Sequence, residues 1–214
     1  MRISVVLLIF VLGINCISCT DKEKNEFQTP DLALFALKGK VKECRTYYFE
    51  AIDGDNGVVK GDSLRNYKKD ELRYSAGGEI IYISYYGTLA CDEITIKRNS
   101  AGRIVEICRV SPVSEEQGDG TFTRGEGWEY DVKGRPCRNT CYDDVEGNYG
   151  DVRFEYNEVN DISKVEDKGR FPCVSTFQYL EFDEHNNWTK RITTRQEEMS
   201  EPQKQYEERV ITYY

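Results

Sequence analysis

Apolar and aromatic residues flank the same short polar turn, which recurs five times along the chain. Such runs on both sides of a tight turn mark paired strands, and no segment carries the 3.6-residue period of an amphipathic helix. Strands are expected over 41–52, 72–75, 80–86, 93–98, 104–110, 128–130, 137–142, 152–156, 162–166, 176–182, 188–194 and 206–214. A short apolar stretch at 32–37 reads as a helical turn, and Asp53-Gly54-Asp55-Asn56-Gly57 as a tight polar turn. That last segment superficially follows a calcium loop, but Gly57 stands where the third acidic ligand belongs and no Glu closes the loop.

The repeated turn is Tyr74-Ser75-Ala76-Gly77-Gly78-Glu79-Ile80, then Arg98-Asn99-Ser100-Ala101-Gly102-Arg103-Ile104, then Tyr130-Asp131-Val132-Lys133-Gly134-Arg135-Pro136. It returns as Tyr156-Asn157-Glu158-Val159-Asn160-Asp161-Ile162 and as Phe182-Asp183-Glu184-His185-Asn186-Asn187-Trp188. Position 2 is Ser, Asn or Asp, whose side chain accepts hydrogen bonds from backbone N–H groups ahead of it and so opens a type I turn. Position 5 is Gly or Asn, the residues that tolerate the left-handed exit and G1 bulge of such a hairpin. Starts at 74, 98, 130, 156 and 182 give steps of 24, 32, 26 and 26 residues, each enough for two strands, a turn and a return. The expected fold is all-β: an antiparallel meander of about five repeated hairpins forming a curved single sheet or open barrel.

Tyr130-Asp131-Val132-Lys133-Gly134-Arg135 resembles the core of the YD, or RHS, repeat, with Tyr-Asp, two variable residues and Gly-Arg. Gly102-Arg103-Ile104 matches the second half of that core and Phe182-Asp183 the first, so the resemblance spans most of 74–195. It implies the hairpin unit and a likeness to small bacterial lipoproteins built from such hairpins. Long RHS proteins wrap many repeats into a shell around a toxic cargo, and five repeats are too few for that shell.

The ends place the chain. Met1-Arg2 followed by an apolar run from Val5 to Leu12 has the form of a secretory signal, too short to span a bilayer. Ile17-Ser18-Cys19 resembles the end of a bacterial lipobox, which makes Cys19 the candidate lipidation site. The organisation expected is a lipoprotein signal over 1–19, a charged tether over 20–31 and one domain over 32–214, anchored at the outer membrane of a Gram-negative cell. An ordinary cleaved secreted protein is the competing reading. A net charge of −9 disfavours nucleic acid as a partner. Fifteen tyrosines suit a thin sheet, because the ring covers a face while the hydroxyl stays wet.

An exported compartment permits disulfides, and Cys44, Cys91, Cys108, Cys137, Cys141 and Cys173 lie beyond the lipobox. Cys91 and Cys108 flank the second turn almost symmetrically and are the candidate pair, with free buried thiols as the alternative. Cys137 and Cys141 lie four apart on one strand, roughly 13 Å, too far to bond without a bend.

No catalytic residue, cofactor or metal site is expected. His185, the only histidine, falls at a turn tip and reads as exposed. No phosphate loop, nucleophile elbow or spaced ligand cluster appears. The acidic residues of 143–151 read as a solvated turn, and the Glu- and Gly-rich stretch 111–127 as a long loop. The function expected is a noncatalytic binding or interaction module of the envelope, whose partner is a glycan or an envelope protein. Trp128 and Trp188, which flank different turns, are the candidate binding aromatics, weighed against a place in the core. The second reading is a structural or immunity-type partner of a larger RHS protein, and a secreted hydrolase is the third.

Overall fold

A computed structural model describes residues 27–55, 57–64, 69–84, 93–112 and 121–214. One short helix, α1 (Pro30–Leu34), precedes thirteen strands. They are β1 (Val41–Gly54), β2 (Gly57–Ser63), β3 (Lys69–Tyr74), β4 (Ile80–Ser84), β5 (Glu93–Arg98), β6 (Ile104–Pro112) and β7 (Thr121–Tyr130). Then follow β8 (Pro136–Asp143), β9 (Gly147–Tyr156), β10 (Ile162–Asp167), β11 (Cys173–Phe182), β12 (Trp188–Glu197) and β13 (Gln203–Tyr213). All belong to one antiparallel sheet in the order β4-β3-β1-β13-β12-β11-β10-β9-β8-β7-β6-β5, with β2 paired to the far half of β1.

The five turns share one geometry. In each, position 2 receives the N–H of position 5 and its own N–H reaches the carbonyl of position 6, as in Gly134 N to Asp131 O and Asp131 N to Arg135 O, both 2.9 Å. The position-2 carboxylate or amide also accepts two backbone bonds: Asp131 Oδ1 from Lys133 N at 2.9 Å and Arg135 N at 2.8 Å, with Asn99, Asn157 and Asp183 doing the same. Position 5 is left-handed in every copy, with φ of 78°, 75°, 81°, 68° and 57° at Gly78, Gly102, Gly134, Asn160 and Asn186. The closing pair always joins position 1 to position 7, from Tyr74 with Ile80 to Phe182 with Trp188.

Tyrosines lock one hairpin to the next. Tyr130 Oη donates to Ile104 O at 2.6 Å, and Tyr156 Oη to Pro136 O at 2.7 Å. Tyr179 Oη donates to Ile162 O at 2.7 Å, so each acceptor is the position-7 carbonyl of the preceding hairpin. The position-6 arginine of one hairpin also lies over the position-1 ring of the next, Arg103 at 5.5 Å from Tyr130 and Arg135 at 4.2 Å from Tyr156. This contact accounts for the Tyr-Asp and Gly-Arg pairs physically, since the aromatic and the cation belong to neighbouring units. Burial pushes the Tyr130 phenol up to about 12, against the opposing effect of the Arg103 guanidinium.

β13 lies between β12 and β1, so the first and last strands pair inside the sheet and neither is an edge. Its two outer strands are β4 and β5, consecutive in the chain, and the sheet is an open curved one. The main core sits at the turn end, where Leu72, Tyr74, Ile80 and Ile83 from one side meet Ile104 and Ile107 from the other. Leu32, Leu34 and Leu37 of the N-terminal segment fill the space between them, and Leu32, Leu37, Ile104 and Ile107 are 0% exposed. Each such side chain contributes about 2–3 kcal/mol by burial.

Several expectations need adjustment. Within the stretch 111–127 the described residues are strand, 111–112 ending β6 and 121–127 opening β7, and 113–120 lie outside the described residues. Of the stretch 143–151 only 144–146 form a tight turn, between β8 and β9, and 147–151 are strand; Asp143 Oδ1 accepts from Val145 N at 3.0 Å and Glu146 N at 2.6 Å. The folded unit includes Phe27 to Asp31, which lie in the expected tether: Phe27 packs on the core and Asp31 is 2% exposed. The leader and Cys19 lie outside the described residues.

Candidate functional site

The N-terminal segment works as a plug across the turn end. Thr29 caps α1, its hydroxyl accepting from Leu32 N at 3.3 Å while donating to Gly78 O at 2.6 Å. Pro30 follows at the first helical position, where a missing N–H costs nothing. Leu37 N bonds to Leu32 O at 2.9 Å and Ala36 N to Ala33 O at 3.1 Å, a Schellman stop with Ala36 left-handed at φ 53°.

Three of the five turns dock on this plug. Asp31 accepts from Ile80 N at 2.8 Å and from Arg98 Nη2 at 2.7 Å, tying down turns one and two. Asn187 of turn five accepts from Lys38 N at 2.8 Å and donates to Lys38 O at 2.9 Å, a two-bond clasp. Its Nδ2 also reaches Tyr213 Oη at 2.8 Å, and Tyr213 in turn donates to Asp183. His185 belongs to this joint: its ring lies 4.4 Å from that of Tyr213 and its side chain is 31% exposed. The expectation of a freely exposed turn-tip histidine is thereby corrected, because the plug end at Gly39 packs against it.

Turns three and four are not clasped in this way, and between them and the plug lies a cavity of about 380 Å³. Its walls are Ala33 and Leu34 from α1, Pro136 and Ile162 from position 7 of turns three and four, Tyr156, and Trp188 from position 7 of turn five. Lys38, Lys133, Arg135 and Asp161 supply its charge, and Gln28, Asn160 and Asn186 its neutral polar groups. Arg135 is held by Asp131 at 2.7 Å and donates to Asn160 Oδ1 at 2.9 Å. Burial raises the Asp161 carboxyl, and the nearby Lys38 ammonium opposes that rise. Lys133 has no ion-pair partner among the described residues.

A second hollow, about 630 Å³, lies toward the other end of the sheet among β8, β9 and the 168–170 turn. It is larger but electrically spent. Arg138 is taken by Asp151 at 2.7 Å, Lys168 by Glu166 at 3.4 Å and Arg170 by Glu146. The plug cavity is therefore the stronger candidate site.

The two tryptophans do not form a platform. Trp188 is 3% exposed, and the guanidinium groups of Arg191 and Arg209 lie 4.1 and 3.8 Å from its ring. The cause is its position-7 place, which is also buried at Ile80, Ile104 and Pro136 and half-buried at Ile162. Trp128 is half-buried, stacks on Phe154 at 5.9 Å and packs against the core. These two lie apart from each other in role: Trp188 borders the cavity and Trp128 does not. Cys91 lies outside the described residues, so its pairing with Cys108 does too; no two described cysteines are joined, and Cys44, Cys108, Cys137, Cys141 and Cys173 carry thiols. Burial raises the Cys44, Cys137, Cys141 and Cys173 thiols, the opposite of what activates a nucleophile. Among the described residues no group of three or more His, Cys, Asp or Glu is placed to hold a metal.

A scan of the chain against protein-family models finds no match, and no curated protein matches it. The likeness to the YD repeat therefore rests on the turn residues themselves.

Proposed function

We propose that this chain is a noncatalytic lipoprotein of the cell envelope, tethered to the outer membrane through an acylated Cys19, and that its hairpin sheet is a binding module. The observation that carries this reading is the plug cavity. It combines apolar walls with a few convergent polar groups, the composition of a ligand site. Its titratable lining is Lys38, Lys133, Arg135, Tyr156 and Asp161, a set that holds a ligand and offers no nucleophile–base pair. The ring faces of Trp188 and Tyr156 already carry arginine, which turns the reading away from sugar stacking and toward the cavity.

Two measurements test it. Mass spectrometry of protein extracted from membranes reads the acyl mass on Cys19, and an unmodified Cys19 refutes the anchor. Titration of the full chain against a panel of periplasmic small molecules, followed by recovery of the ligand, tests the module. Saturable binding with ligand recovered intact supports it, and steady conversion of any panel member refutes it.

A further inference from the structure

Resting on that binding reading, we propose that the plug cavity takes a single-chain monoanionic amphiphile: a carboxylate on an unbranched apolar chain, bound as a monomer from solution.

Charge is the first argument. The protein carries −9 overall, yet the charged lining of this cavity is Lys38, Lys133 and Arg135 against Asp161 alone. With Asp131, which pairs with Arg135 just outside, two carboxylates meet three cations, so one positive charge is left over, and Lys133 has no ion-pair partner among the described residues. One surplus positive charge at the rim of an apolar slot selects a monoanion over a neutral or cationic guest. Asp161 works against a second negative charge, which disfavours dianions such as phosphate monoesters.

Size and wall chemistry are the second. About 380 Å³ lies near the lower limit of the 300–1,000 Å³ range of small-molecule sites, enough for one chain and too small for a two-chain lipid. The walls that would meet that chain are Leu34, Pro136, Tyr156, Ile162 and Trp188.

Location is the third. Gln28 lines the cavity, and the chain runs back from Phe27 to Cys19 over eight residues. Fully extended, that length spans at most about 29 Å. An acylated Cys19 would therefore keep the cavity that Gln28 lines near a lipid surface, a source of single-chain carboxylates that exchange through water.

The test is calorimetric titration of the full chain with decanoate below its micellar concentration, beside decanamide and decylamine, with tryptophan fluorescence following Trp188. Expected are 1:1 binding of decanoate, at least tenfold weaker binding of decanamide and none of decylamine. The Lys38→Gln/Lys133→Gln double variant should weaken decanoate at least tenfold with an unchanged melting temperature, and Lys60→Gln, on β2, should change nothing. Decanamide binding as tightly as decanoate overturns the anion inference while leaving the binding module standing. Binding of some other panel class at the cavity, with decanoate inert, overturns the ligand class alone. If no compound of any class perturbs the cavity residues, this inference and the binding reading fall together.

Discussion

Gly78, Gly102 and Gly134 share one turn position, with φ of 78°, 75° and 81°, so alanine there tests what surrounds each turn rather than the turn itself. The backbone part is common to all three. A left-handed alanine costs about 1–2 kcal/mol, and the stiffer unfolded chain returns about 0.4–1 kcal/mol of it. Around Gly102 nothing lies within 4 Å of an added Cβ, so Gly102→Ala should lose only about 0.5–1 kcal/mol. At Gly134 the new Cβ would stand 2.3 Å from Arg103 Nη2, the far end of a side chain that can swing aside at the expense of its stacking on Tyr130. Gly134→Ala should therefore lose about 0.5–1 kcal/mol more than Gly102→Ala. At Gly78 the Cβ would stand 2.6 Å from Thr29 Cγ2 and 3.0 Å from Phe27 Cε1. Thr29 cannot retreat without giving up both its bond to Gly78 O and its cap on α1. A hydrogen bond and an N-cap are each worth about 1 kcal/mol, so Gly78→Ala should lose about 2–3 kcal/mol. Urea unfolding at constant m reads the ranking Gly78, then Gly134, then Gly102. Amide exchange at residues 32–37 should accelerate in Gly78→Ala alone. Equal losses at the three sites would refute the docking of the plug on turn one.

Tyr156→Phe keeps the ring under Arg135 and removes only the hydroxyl bonded to Pro136 O at 2.7 Å, so its urea midpoint should report a loss of about 1–1.5 kcal/mol, matched by Tyr130→Phe and Tyr179→Phe. A neutral effect in all three would dismiss the tyrosine lock. Asp31→Asn leaves Arg98 without its anion beside a carboxylate site that is 2% exposed, and should lose about 2–4 kcal/mol in the same assay. A loss below about 1 kcal/mol would show that the plug is held by packing alone. The hydrogen bond from Lys69, then that from Arg73, holds the Glu71 carboxyl at about 2 against the opposing effect of burial, from an ordinary 4.5. Because the folded value is depressed, its stabilisation is complete above about 4.5 and is lost as pH falls through 2. The half-exposed partners screen it to about 1–2 kcal/mol, so the stability gap between wild type and Glu71→Gln should be open at pH 6 and close on the way to pH 2.

The turns were legible because their chemistry is local. A hydrogen-bonding side chain at position 2 and Gly or Asn at position 5 suffice to specify them, and both are visible in five copies. Elements with nonlocal causes were not. β2 has only Val58 and Val59 between Gly57 and Gly61, too little pattern to announce a strand, and it forms by lying on β1. Gly125 and Gly127 read as loop residues, yet they are strand positions kept bare for neighbours: a Cβ on Gly125 would stand 2.0 Å from Tyr142 Cζ and one on Gly127 2.7 Å from Thr140 Oγ1. Thr29-Pro30-Asp31 carried a helix-start signal, cap, proline and acid in order, that places the domain boundary before residue 32. The position of β13 between β12 and β1 has no sequence signature, since it depends on where a curved sheet brings the chain ends.

The candidate site was half visible for the same reason. Its floor is Pro136, Ile162 and Trp188, part of a position-7 column that is apolar in every copy and buried in all but Ile162, which is half-buried. Read as a column, that pattern assigns Trp188 to the inside. What the column cannot show is which turns the plug covers, because that follows from Asp31 and Asn187 reaching turns one, two and five across long stretches of chain. The floor is fixed by turn geometry and the clasp by the plug, so chemical identity is left to positions that neither constrains. Position 4 of turns three and four is such a place: Lys133 and Val159 are unlike residues on one backbone shape and both line the cavity, whereas His185, at position 4 of turn five, is held in the plug joint. On the proposed binding reading, ligand preference is set at position 4 of turns three and four, where a substitution alters the rim charge and leaves the hairpin intact.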